Sequence, residues 1–113
     1  MKIVGVAACI TGVAHTYMAQ EAIEQECKKR GYEVKVETQG GMGIENELSE
    51  DEIAEADVVI MAVAIGIEGV ERFEEKEDEG RVISLNPSEV VRDPAAIIDR
   101  AEKLRSEEHT SEL

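Results

Sequence analysis

The sequence predicts an α/β fold: a four-stranded parallel sheet with helices on both faces, an open three-layer αβα arrangement, in one domain over residues 1–104. Three observations carry this prediction. Ile3–Ala8 and Val58–Ala64 are almost unbroken apolar runs, which suits strands covered on both faces. Segments with helical start and stop signals separate the strand-like runs. A chain of 113 residues, 42% hydrophobic, supplies a single modest core.

Taken in order, the first strand covers Lys2–Ala8 and small residues follow it. A helix begins near Ala14 to Thr16 and runs to Arg30. Lys28, Lys29 and Arg30 crowd its last turn, where cations suit the helix dipole, and Gly31 is its stop. Tyr32–Thr38, alternating at Val34 and Val36, is the second strand. Gln39–Gly43, Q-G-G-M-G, reads as a flexible turn. Ser49-Glu50-Asp51-Glu52 is a capping box opening a short helix to about Ala56. Asp57 then precedes the third strand, Val58–Ala64. Within Gly66–Glu79, Val70 and Phe73 anchor a helical turn, and Glu74–Glu79 reads as a solvated acidic connector. Arg81–Leu85 is a short fourth strand. Asn86-Pro87 and Asp93-Pro94 each mark a helix start. The last helix is expected from Pro94 to about Leu104, burying Ile97, Ile98, Ala101 and Leu104. The remainder, 105–113, has no apolar periodicity and is expected to be disordered. Its R-S-E-E-H-T-S-E-L is similar to the translation of a sequencing-library adapter. The expectation is a non-native tail; on that reading His109 carries no role, and whether the natural chain continues past that point stays open.

The net charge of −14 argues against nucleic acid, because a basic footprint is absent. The acidity reads either as solubility or as preparation for a partner that is basic at its contact face. No apolar run approaches the ~18 residues of a membrane span. The first strand starts within two residues of Met1, leaving no room for a signal peptide, so a cytoplasmic location is expected. Cys9 and Cys27 sit at opposite ends of the first helix. About eleven helical residues separate them by roughly 16 Å, beyond the ~7 Å between Cα atoms that a disulfide tolerates. Cys27 shares a helical face with Ala19, Ala22 and Ile23 and reads as a small core residue.

Cys9 is different. It follows a buried strand and precedes a helix, so its thiol faces unpaired N–H groups and the positive end of the helix dipole. Such a place favours an anion and lowers a thiol pKa from about 8.5. The same N–H groups suit the oxygens of a phosphoryl group carried on sulfur. Cys9 therefore reads as a phosphoryl acceptor in a phosphate-cradling loop.

The residues that follow sharpen this. C-I-T-G-V-A-H-T-Y-M-A, Cys9–Ala19, resembles the active-site loop of the fructose-family enzyme IIB components of the bacterial sugar phosphotransferase system. Gly12 and Ala14–Ala19 match the family pattern, whereas Ile10 stands where the family usually has proline. Proline would stiffen the loop; isoleucine gives up that preorganisation and adds an N–H. Val36–Leu48, V-E-T-Q-G-G-M-G-I-E-N-E-L, is a second point of resemblance, and Arg72-Phe73 resembles an Arg-Phe pair common there. Gln39, Glu45 and Asn46 read either as contacts to a partner or to the Cys9 loop, or as turn-building residues. Phe73 reads as packing.

The crossover rule, and in part the resemblance, give the strand order 2-1-3-4, with the switch point beside the Cys9 loop. The resemblance implies a phosphoryl relay. Cys9 takes the phosphate from a phosphohistidine of the IIA component and passes it to a sugar held by the membrane-bound IIC component. The backbone N–H groups of Ile10, Thr11, Gly12, Val13, Ala14, His15 and Thr16 would cradle the phosphate, with the Thr11 and Thr16 hydroxyls adding hydrogen bonds. His15 would donate a further hydrogen bond or balance charge; its other reading is a helix-start residue facing solvent. No cofactor or metal is called for. Fructose is the family default, and the choice of sugar belongs to IIC.

A rival is a cysteine phosphatase or arsenate reductase of the low-molecular-weight kind, which has Cys, five residues and then Arg. Here the sixth residue after Cys9 is His15, and the nearest arginine in sequence is Arg30. A guanidinium would grip phosphate bidentately, and its absence favours a phosphate that is passed on. A non-catalytic binding module regulated by Cys9 phosphorylation is a third reading. A redox thiol lacks a resolving cysteine within reach.

Overall fold

The computed structural model describes residues 1–8, 13–40, 43–64 and 66–111, with backbone only for 13–15 and 105–111. Its elements are β1 (Lys2–Ala8), α1 (Val13–Lys29), β2 (Glu33–Gly40), β3 (Gly43–Glu45), α2 (Glu50–Glu55), β4 (Val58–Val63), a 3-10 turn (Val70–Phe73), α3 (Glu74–Asp78), β5 (Val82–Leu85), α4 (Pro87–Arg92) and α5 (Pro94–Ser111). The sheet order is β3-β2-β1-β4-β5. β1 pairs in parallel with β2 and β4, and β4 with β5. The four strands expected from the sequence thus lie in the expected order.

The sheet itself is not the four-stranded, all-parallel one predicted. A fifth strand, β3, runs antiparallel to β2 with Gln39 opposite Ile44, which makes the sheet mixed. The glycine-rich stretch from Gln39 to Gly43, read as a turn, contributes the end of β2 and the start of β3. Three residues are too few to show a periodicity of two. Pairing along β2 is a tertiary gain, since it covers the edge that β2 would otherwise leave open.

β1 is central, and the two faces of the sheet carry separate cores. On one, Ile3, Ala7, Val36, Ile60 and Ile83 pack against Ala19, Ile23 and Cys27 of α1, Val90 of α4, and Ile97, Ile98 and Ala101 of α5. On the other, Val4, Val6, Val59 and Met61 pack against Leu48, Ile53, Ala56 and Phe73. Gly5 permits a close approach of β1 to β4. A Cβ there would lie 3.0 Å from the carbonyl oxygen of Ile60 and 3.7 Å from Ile23 Cδ1.

Local signals account for the helix ends. At the end of α1, Tyr32 N–H bonds to Cys27 O at 2.9 Å and Gly31 N–H to Lys28 O at 3.1 Å, with Gly31 at φ +78°. This is the glycine stop that the sequence shows. Ser49 and Asn86 each close a capping box, with Glu52 and Glu89 as the reciprocal partners. Two further expectations are corrected. Glu74–Asp78 is helix rather than connector, and it buries Lys76, which donates to Ala54 O at 3.1 Å. α5 does not end near Leu104; residues 105–111, expected without structure, continue it to Ser111. That stretch contains no proline or glycine to stop a helix once begun.

Candidate functional site

The site is built where β1 ends. Ala8 is the last residue of β1, level with Gln39 on β2 and Val63 on β4. Its carbonyl accepts from Ala64 N–H at 3.0 Å. The chain passes to Cys9, and α1 starts at Val13. This is the carboxyl edge of the parallel strands, where open α/β sheets hold their ligands.

Cys9, Ile10, Thr11 and Gly12 lie outside the described residues, as do the side chains of Val13, Ala14 and His15. The backbone of those last three opens α1. The first turns of α2 and α4 carry acids, three in α2, but the first turn of α1 carries none. Its positive end is therefore not neutralised from within that turn. Thr16 is 3% exposed, and its Oγ1 has no hydrogen-bond partner among the described residues. A buried hydroxyl left unpaired costs about 1–3 kcal/mol. Such a group, one turn into the helix that follows Cys9, is suited to receive a polar ligand.

Beside this, Tyr17 and Met18 are exposed. The Tyr17 hydroxyl donates to the Glu45 carboxylate on β3, and that hydrogen bond is the main cause raising the phenol's pKa. Glu45 thus tethers α1 to the outer strand. Asn46 follows at φ +54°, the left-handed turn geometry that asparagine tolerates.

The sequence reading missed a buried ionic cluster at the same edge, between β2 and the segments that follow β3 and β4. Glu37 on β2 is fully buried. Its Oε1 accepts from Leu48 N–H at 2.8 Å and Arg72 Nη1 at 2.9 Å, and its Oε2 from Gln39 Nε2 at 2.6 Å and Arg72 Nη2 at 3.0 Å. Burial alone would push this carboxyl up; the Arg72 guanidinium, the Leu48 amide and the Gln39 side chain outweigh it and hold the pKa below the ordinary value.

Arg72 spends its remaining donors on the carbonyls of Gly69 at 2.8 Å, Leu48 at 2.6 Å and Glu68 at 3.3 Å. All five guanidinium N–H groups are thereby engaged, and none is left to grip a phosphate. Gly69 is required here: at φ +71°, a Cβ would lie 2.6 Å from Arg72 Nε. Nothing local in V-E-T-Q marked Glu37 for burial: its strand was expected at the edge of the sheet, and a buried acid reveals its need for a counter-charge only once the fold is formed.

Comparison with known proteins agrees with this geometry. The model of the family "PTS system, Lactose/Cellobiose specific IIB subunit" matches residues 4–100. The chain is 48% identical to the PTS system fructose-like EIIB component 2 of Escherichia coli K12, covering 89% of this chain and 92% of that one. Among solved structures, the solution structure of an enzyme IIB subunit of the PTS system from Escherichia coli K12 superposes with a TM-score of 0.85 at 39% identity, covering 96% of each chain. A domain of the fructose-specific IIABC component from Borrelia burgdorferi superposes with a TM-score of 0.80 at 48% identity, covering 88% of this chain and 91% of that one. With matches of this extent, the chain belongs to the IIB family of the sugar phosphotransferase system.

Proposed function

We propose that this domain relays a phosphoryl group through Cys9 in a fructose-like phosphotransferase system. The Cys9 thiolate attacks the phosphorus of a phosphohistidine on the IIA component; the S–P bond forms as the N–P bond breaks, and the departing nitrogen takes up a proton from solvent so that neutral imidazole leaves. A hydroxyl oxygen of the sugar on IIC then attacks the same phosphorus. The O–P bond forms, the S–P bond breaks, the thiolate is regenerated and the hydroxyl proton is released. Backbone N–H groups of residues 10–16 hold the phosphate oxygens between the two steps, and the relay works at the cytoplasmic face of the membrane.

The observation that carries this reading is the buried hydroxyl of Thr16 at the start of α1, close in sequence to Cys9 and without a hydrogen-bond partner among the described residues. A phosphate oxygen would satisfy it. Arg72, the arginine near this edge, is wholly committed to protein acceptors. That favours a phosphate that is passed on over one gripped for hydrolysis. The fructose-like sugar class follows the names of the relatives.

The test is a reconstituted cascade of phosphoenolpyruvate, the general phosphotransferase proteins and a fructose-type IIA. Mass spectrometry should find phosphate on Cys9 that returns to unphosphorylated IIA, and none at that position in Cys9→Ser. Failure to label Cys9 while a known IIB is labelled in parallel would overturn the reading.

A further inference from the structure

The Glu37 cluster does more than neutralise a buried charge. β1 lies between β2 and β4 in the sheet, yet Gln39 at the end of β2 bonds across it to the segment after β4. Its Nε2 donates to Glu68 O at 3.0 Å, and its Oε1 accepts from Glu68 N–H at 2.9 Å. Both polar ends of one amide are thus spent on one backbone residue. Arg72 repeats the crossing: it holds Glu37 on β2 while bonding the carbonyls of Glu68 and Gly69. It also reaches Leu48 O, and Glu37 takes Leu48 N–H, so the segment after β3 joins the same knot.

The result is a strap over the carboxyl end of β1. Val6 and Ala8 are level with Glu37 and Gln39 in the parallel register, and all four are buried. In a parallel pair, level residues share a face, so the strap lies along that face of β1 up to Ala8, the residue before Cys9.

We propose that Gln39, backed by Glu37 and Arg72, is a positioning residue for phosphoryl transfer at Cys9. This rests on the relay proposed above. By fixing the segments that flank the end of β1, the strap fixes the platform from which the Cys9 loop departs. The transfer step depends on the placement of sulfur, and misplacement of about 1 Å costs on the order of a hundredfold. None of the strap's described polar atoms is left over for phosphate, so its effect reaches the reaction through geometry.

Gln39→Met keeps the length of the side chain and removes both hydrogen bonds to Glu68. Glu37→Gln keeps the shape and loosens the strap from its charged end, and it serves alone if the first variant does not fold. Quench-flow labelling by phospho-IIA would give the maximal rate and the half-saturating donor concentration. Hydrogen exchange at the Glu68 amide would report whether the strap has opened. The expected result is a maximal rate lowered on the order of tenfold to a hundredfold, a half-saturation within about twofold of wild type, and faster Glu68 exchange. An unchanged maximal rate with faster exchange would make the strap purely structural and overturn the proposal. A raised half-saturation with an unchanged maximal rate would make it a docking feature, and overturn it equally. If the wild-type chain itself takes no phosphate at Cys9, the relay fails first and this proposal falls with it.

Discussion

The Glu37 carboxylate, fully buried on β2, is held by both terminal nitrogens of the Arg72 guanidinium, at 2.9 and 3.0 Å, across 35 residues of sequence. Removing one partner should be far worse than removing both. Arg72→Ala leaves an uncompensated buried charge and should cost about 3–5 kcal/mol in urea unfolding. The pair Glu37→Met with Arg72→Met should recover most of that loss. The pH dependence follows from the lowered pKa of Glu37. Its ionised form contributes stability that is fully present above the ordinary value of 4.5 and is lost as pH falls through the lowered, folded value. In Arg72→Ala only the Leu48 amide and the Gln39 side chain still oppose burial, so that pKa rises from its wild-type value. The stability lost as pH falls below 4.5 should then be smaller than in wild type.

Ser49 and Glu52 offer a test at the surface. Ser49 Oγ accepts from Glu52 N–H at 3.1 Å, and Glu52 Oε1 accepts from Ser49 N–H at 2.9 Å. Ser49→Ala should cost about 0.5–2 kcal/mol in thermal unfolding through the lost cap. Hydrogen bonding to Lys35, then to the Ser49 backbone, lowers the Glu52 pKa to about 2. Its contribution is present above 4.5 and fades as pH falls through about 2. Glu52→Gln should therefore destabilise at pH 7 by no more than about 1 kcal/mol, as expected for a pair this open to solvent. At pH 2 the gap from wild type should narrow.

Gly5 is a packing constraint rather than a turn. Its missing side chain leaves room for the Ile60 carbonyl of β4, and an added Cβ would sit at 3.0 Å from that oxygen. Backbone in the middle of a sheet yields poorly. Gly5→Ala should lower stability by about 1–3 kcal/mol through overpacking, measured as a fall in the midpoint of chemical unfolding with an unchanged m-value.

Cys27 should be chemically silent. It is fully buried in the core around α1, and burial, more than the nearby Glu26 and Glu24, pushes its thiol up to about 12 against the pull of Arg30. Iodoacetamide at pH 8 should leave Cys27 unmodified in the native protein and modify it fully in guanidinium chloride, as read by peptide mass spectrometry. Modification under native conditions would contradict the packing described.

Much of this fold is written locally. The apolar runs of β1 and β4, the Ser49 and Asn86 capping boxes, the Gly31 stop and the core role of Cys27 were legible because each depends on neighbours within a few residues. The position of Cys9 between a buried strand and a helix was legible for the same reason, and with it the family. Tertiary structure decided the rest. β3 exists because Gly43–Glu45 finds the edge of β2, a gain that no three-residue window encodes. The helical run of residues 105–111 depends on α5 being nucleated and packed upstream, at Ile97, Ile98 and Ala101. Glu37 looked like any strand glutamate until the chain brought Arg72 to it, and Gln39 like a turn residue until Glu68 crossed the end of β1. Local free energies can be read along a chain. A buried charge and its partner, far apart in sequence, meet only once the sheet has set their register.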